Sequence, residues 1–113
     1  MAASVFKQSG HGAGIIAQTF NVPTGRIYLL ISVSCVFAVA PTTSEDYTIT
    51  IDANAGAAYD LLLYTVDPSV GSVTDILWQP DELLYLEGGD AVDVAFAGTD
   101  GAGWAVQVVI ETA

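Results

Sequence analysis

Apolar residues recur in this chain at every second position, in short runs separated by clusters of Gly, Pro, Asp, Asn and Thr. A repeat of two belongs to a strand with one buried face, and helical spacing is almost absent, so the chain is confined to sheet architectures. The segment from Asp46 to Asp52 shows the pattern most cleanly: Tyr47, Ile49 and Ile51 are expected inward and Thr48, Thr50 and Asp52 outward. Read in order, the runs predict strands over 15–20, 26–39, 46–52, 59–66, 75–79, 83–86, 91–97 and 104–112. In the longest of these, Leu29, Ile31, Val33, Cys35, Phe37 and Val39 are expected to form one continuous core face. Pro80 stops the fifth run, and Gly98-Thr99-Asp100-Gly101 reads as a hairpin turn between the last two.

About eight short strands at spacings of roughly 8–14 residues predict an all-β, single-domain antiparallel β-sandwich over residues 14–113. A jelly-roll-like winding is expected first and an immunoglobulin-like sandwich second. Residues 1–13, small and polar with Gly10 and Gly12, read as a flexible N-terminal arm.

Charge narrows the function classes. Thirteen carboxylates face only two basic side chains, Lys7 and Arg26, for a formal net charge of −11 over 113 residues. Such a surface repels a phosphate backbone, so no nucleic-acid partner is expected. Hydrophobic residues make up 52% of the chain, far too many for a disordered one. The most apolar stretch, 27–39, is broken by Ser32 and Ser34 and falls short of the roughly 18–20 residues that span a bilayer, so no membrane partner is expected. The first residues lack the charged start and apolar run of a secretory leader, which fits synthesis and folding in a cytoplasm.

Catalytic signals are missing. The single histidine, His11, sits in the Gly-rich arm without an orienting partner, so neither a nucleophilic triad nor a zinc site can be assembled. The single cysteine, Cys35, lies within an apolar run and reads as a small core residue. No enzyme, no catalytic residue and no cofactor are therefore expected. Glu87, Asp90 and Asp93 crowd one turn, with Asp81 and Glu82 nearby, and are weak candidates for a calcium site. A solvated Gly-Gly-Asp turn is the simpler reading of them.

Several strands carry apolar residues on both faces: Leu61, Leu62 and Leu63 are consecutive, as are Val108, Val109 and Ile110. The long strand adds Tyr28, Leu30, Val36 and Ala38 on its second side. Two-faced strands point to a covered second face and so to an oligomer, expected as a homotrimer. Partner-binding residues are expected at Val5, Phe6 and Lys7 on the arm, at Trp78 beside a strand end, and at Tyr28 and Leu30 on the second face.

Three stretches carry a family resemblance: Val22-Pro23-Thr24-Gly25, the run Trp78-Gln79-Pro80-Asp81-Glu82-Leu83-Leu84-Tyr85-Leu86, and Gly88-Gly89-Asp90-Ala91-Val92-Asp93-Val94. A strand entered by Pro-x-Gly, then an apolar-Gly-Asp turn into a final hairpin, resembles small virion proteins of tailed bacteriophages, the capsid decoration (cement) proteins among them. The apolar-Gly-Asp turn is also similar to that of trimeric tumour-necrosis-factor-like jelly rolls. The resemblance implies a non-enzymatic structural protein at the virion surface that stabilises the head by binding the major capsid protein. By that analogy the arm lies on the capsid. A phage tail or head-fibre β-module that recognises host-surface glycans, with Trp78 in its platform, is the alternative.

Overall fold

The computed structural model describes residues 4–112 as nine strands: β1 (Val5–Ala13), β2 (Ile16–Asn21), β3 (Ile27–Phe37), β4 (Tyr47–Asp52), β5 (Leu61–Val66), β6 (Asp75–Trp78), β7 (Tyr85–Glu87), β8 (Ala91–Phe96) and β9 (Gly103–Thr112). Among these residues the helical structure is a single 3₁₀ turn at Ala57–Tyr59. The first sheet has the order β1-β9-β3-β6, with β7 also on β3, and the second has the order β2-β8-β4-β5. Every pairing is antiparallel. Because β6 pairs with Val33–Val36 and β7 with Ile27–Leu29, the two lie end to end along β3 as one strand broken at Pro80. Apart from β4 and β5, which pair with each other, and β6 and β7, which share the edge of β3, successive connections cross between sheets, the winding of a jelly roll. The expected sandwich is therefore present.

The eight strands read from the alternation all appear, with ends shifted by one or two residues. The ninth, β1, corrects the expectation of a mobile arm: residues 5–13 pair with β9 through nine registered positions, from Val5↔Glu111 to Ala13↔Gly103. Its glycines are a consequence of packing. Gly10 and Gly12 fall on the inward side, where a Cβ on Gly10 would collide with the Gln18 side chain and one on Gly12 would lie 3.0 Å from the indole of Trp104. Phe6 anchors the other end of the strand, edge-on to Tyr28 at a centroid distance of 5.3 Å. Residues 1–3 of the expected arm lie outside the described residues.

Two β-bulges redirect side chains. In β3 the register with β9 passes from Leu30↔Ile110 to Ser32↔Val109, leaving Ile31 as the additional residue. Inward positions therefore switch parity: Tyr28 and Leu30 are buried before the bulge, and Val33, Cys35 and Phe37 after it. Leu29 and Ile31, expected in the core, stand on the outer face, and Val39 lies beyond the strand and is exposed. In β5 the register passes from Ile49↔Tyr64 to Thr50↔Leu62, so that Leu63 is the additional residue and the triple leucine is not a simple two-faced strand. Val33, Tyr47, Ile49, Val92, Val94 and Val108 form the fully enclosed centre between the sheets.

The connection from β8 to β9 is not a hairpin. Gly98-Thr99-Asp100-Gly101 does close a turn, Gly101 N–H to Gly98 O at 3.0 Å. It carries the chain from the second sheet to the first, because β8 pairs with β2 and β4 while β9 pairs with β1 and β3.

Candidate functional site

The residue register separates the two outer surfaces of the sandwich. Across the second sheet, Thr19, Asp93, Thr50 and Leu62 form one outward row, and Ala17, Ala95, Thr48 and Thr65 form the next. This face is mostly Thr and Ala, with Asp93 and the exposed Leu62, and the Thr19 hydroxyl donates to Asp93 Oδ1 at 2.8 Å. The first sheet differs. Its outward rows run Val5, Glu111, Leu29, Tyr85; then Lys7, Val109 and the Ile31 bulge; then Ser9, Gln107, Ser34, Leu77; then His11, Ala105, Val36, Asp75. Val5, Ile27, Val36, Leu77 and Tyr85 are each at least half exposed there. His11, Ser34, Val36, Ala105 and Gln107 surround a shallow depression of about 370 Å³ near the centre of that face.

The residues expected to bind a partner are divided by this geometry. Val5 and Lys7 stand exposed on the outer face of the first sheet. Tyr28 and Leu30 do not: both are buried, because the Ile31 bulge places them on the inward side. Phe6 packs on Tyr28 and Trp78 is half-buried against the core. Trp104, near the start of β9, is a core residue.

The carboxylates singled out around the Gly-Gly-Asp turn are not brought together. Glu87 shares the outer face of the first sheet with Ile27, whereas Asp93 lies on the outer face of the second, across the sandwich. Asp90 is occupied between them. Its Oδ1 accepts the backbone N–H of Asn54 and its Oδ2 that of Glu87, each at 2.9 Å. Among the described residues no three His, Cys, Asp or Glu side chains converge as metal ligands. Asp81 and Glu82 flank a separate groove of about 380 Å³ beside Leu29, Ile31, Pro80 and Leu83, where the edge of the sheet is broken.

The chain matches no known family model, and a search of curated proteins finds no match. Two of the stretches that carry the phage resemblance meet at one end of the sandwich: Val22 donates to Asp90 O at 2.9 Å and accepts from Gly89 N–H at 2.9 Å. Gly88 is pressed against this turn so closely that a Cβ there would lie 2.8 Å from Pro23 O. The two turns form a single structural lock.

At the opposite end a network appears that the sequence pattern did not reveal. Asp100 accepts the backbone N–H groups of Thr42 at 2.6 Å and Thr43 at 2.9 Å, and both threonine hydroxyls as well. Glu45 accepts Thr99 N–H at 3.1 Å, and Asp67 accepts the hydroxyls of Ser44 and Ser69. Three carboxylates thus staple the 41–46 loop to the turns on either side. These bonds favour the ionised form: the Thr43 and Thr42 donors hold the Asp100 carboxyl down at about 2, and the Ser44 and Ser69 hydroxyls hold Asp67 below the usual range. The excess of acid and the Thr-Thr-Ser run were the available signal, but nothing in the sequence joins residues 57 or 58 positions apart.

Of the two potentially reactive groups, His11 is exposed on the outer face of the first sheet, opposite Ala105. Cys35 is buried, and desolvation pushes its thiol up to about 12, which suits an inert core residue.

Proposed function

We propose that this protein is a non-enzymatic structural component of a tailed-phage virion, a decoration module that binds the shell of major capsid protein and stabilises the head. The observation that carries the reading is the division of the surface. One sheet presents exposed apolar side chains, Val5, Ile27, Val36, Leu77 and Tyr85, among the polar groups of its outer face, while Asp67, Asp90 and Asp100 are used to hold loops and turns in place. That is the organisation of a rigid body made to pack against other proteins. The jelly-roll winding and the lock formed by the Pro-x-Gly and Gly-Gly-Asp turns support it, as does a charge of −11, which favours a basic partner surface. Attachment by a removable arm is not retained, since deleting residues 5–13 would strip a full edge strand and the Phe6 anchor from the fold.

The test is quantitative mass spectrometry of purified virions from the phage that encodes the chain. The expected result is a fixed ratio to the major capsid protein in isolated heads. Virions that lack the chain would refute the reading.

A further inference from the structure

The outer face of the first sheet is a broad surface whose exposed apolar side chains its own fold does not use. The second sheet's outer rows are mainly Thr and Ala with Asp93 and Leu62, whereas this one carries Ile31, Val36, Leu77, Tyr85 and Val109. From strand spacing and rise, a face four strands wide and about ten residues long covers roughly 600 Å². A stable protein interface removes about 800 Å² from each partner, so this sheet supplies most of one side.

Charge identifies the occupant. Five of the thirteen carboxylates lie on or beside this face: Asp75, Glu87 and Glu111, each within two residues of a strand end, and Asp81 and Glu82 at the broken edge beside Leu29 and Ile31. Two of the chain's few potential cations, Lys7 and His11, lie there too. A basic partner would be drawn to carboxylate-rich surface. The two middle rows, from Lys7 to Ile31 and from Ser9 to Leu77, carry no carboxylate, which lowers the repulsion where a chain of charge −11 meets another of the same charge. Lys7 and Glu111 on one face also allow reciprocal pairing, as self-complementary contacts require. We propose that this face is the contact between copies of the chain, with Val109 and Ile31 at its centre and Leu77 on its β6 edge.

The inference does not depend on the virion reading, and salt separates the two. Apolar association between like-charged copies is strengthened as salt screens their repulsion, whereas an acidic module on a basic shell is weakened. The experiment is light scattering on the full chain across a dilution series at low and high salt, with Leu77→Glu, Val36→Glu and Leu62→Glu compared by circular dichroism for retained fold. Leu77, Val36 and Leu62 are 66%, 50% and 56% exposed in the single chain, so all three variants are expected to fold.

The expected wild-type mass is a multiple of 11.7 kDa, held to lower concentration as salt rises. Leu77→Glu and Val36→Glu are each expected to weaken association at least about tenfold, and Leu62→Glu, on the other sheet, to leave it unchanged. A wild-type mass of 11.7 kDa at every concentration overturns the proposal even where the chain is found in virions. So does association that Leu62→Glu disrupts as strongly as Leu77→Glu. Association in solution by a chain absent from virions would refute the virion reading alone.

Discussion

Gly12 lies against the indole of Trp104: the two are register partners on β1 and β9, and a Cβ on Gly12 would sit 3.0 Å from Cζ2 and 3.3 Å from Cε2 of the ring. The aromatic ring covers the strand where the glycine leaves it bare, an arrangement that ties a glycine-rich edge to a sheet. It converts a segment that reads as a mobile arm into part of the fold.

Replacing Gly12 by Val forces the ring or the strand to move. The expected cost is about 1–3 kcal/mol, the range for overpacking. Thermal unfolding and, with Trp78→Phe in both chains so that Trp104 alone emits, tryptophan fluorescence measure it, with a lowered midpoint and red-shifted emission as the expected outcome. Ala13→Val, on the exposed neighbour, serves as the control and is expected to change neither.

Acid is expected to loosen the end of the sandwich that Asp100 and Asp67 hold. The folded-state carboxyl of Asp100 ionises at about 2, below its ordinary 3.8, so its contribution is complete above about pH 4 and is lost as pH falls towards 2. Asp67 is shifted in the same direction. The thermal midpoint is expected to fall across that window, with amide exchange rising first at Thr42 and Thr43. Asp100→Asn is expected to lower the midpoint at neutral pH and flatten its acid dependence. An equally steep acid slope in the variant would contradict the staple.

Tyr47 is completely enclosed, and its hydroxyl is without a hydrogen-bond partner among the described residues. A buried hydroxyl without a partner opposes folding, so Tyr47→Phe is expected to leave stability unchanged or raise it by about 1 kcal/mol. Denaturant unfolding measures this, and a loss of more than about 1 kcal/mol would show that the hydroxyl is bonded.

Cys35 is buried with its thiol raised to about 12, so labelling by a thiol reagent at neutral pH is expected only through unfolding. The native labelling rate should follow global unfolding as denaturant is added. Rapid modification without denaturant would show that β3 opens locally.

The alternation of Tyr47, Ile49 and Ile51 with Thr48, Thr50 and Asp52 is legible in the sequence because β4 keeps one parity along its length. β3 does not. The bulge at Ile31 arises from its pairing with β9, and Tyr28 and Leu30 cannot be assigned to the core without it. The Gly98–Gly101 turn is legible as a turn but not as a crossing, since local turn chemistry is silent on which sheet receives the next strand. Gly10 and Gly12 fit either a loose arm or a strand beneath bulky neighbours, and only Gln18 and Trp104 decide between them. The loop staples were hidden for another reason: Asp100 reaches Thr42 and Thr43 through tertiary contact alone.

The most direct test of a covered outer face on the first sheet is methyl NMR of the full chain with a soluble paramagnetic agent. In an isolated chain Leu77 is more exposed than Leu62, 66% against 56%, so its methyl signals would broaden more. Self-association through this face reverses that order: the methyls of Leu77, with those of Ile31 and Val109, are expected to be protected, while Leu62 and Val70 broaden. Leu77 broadening more than Leu62 at concentrations of order 100 µM, where an interface of micromolar affinity is largely filled, would contradict the account.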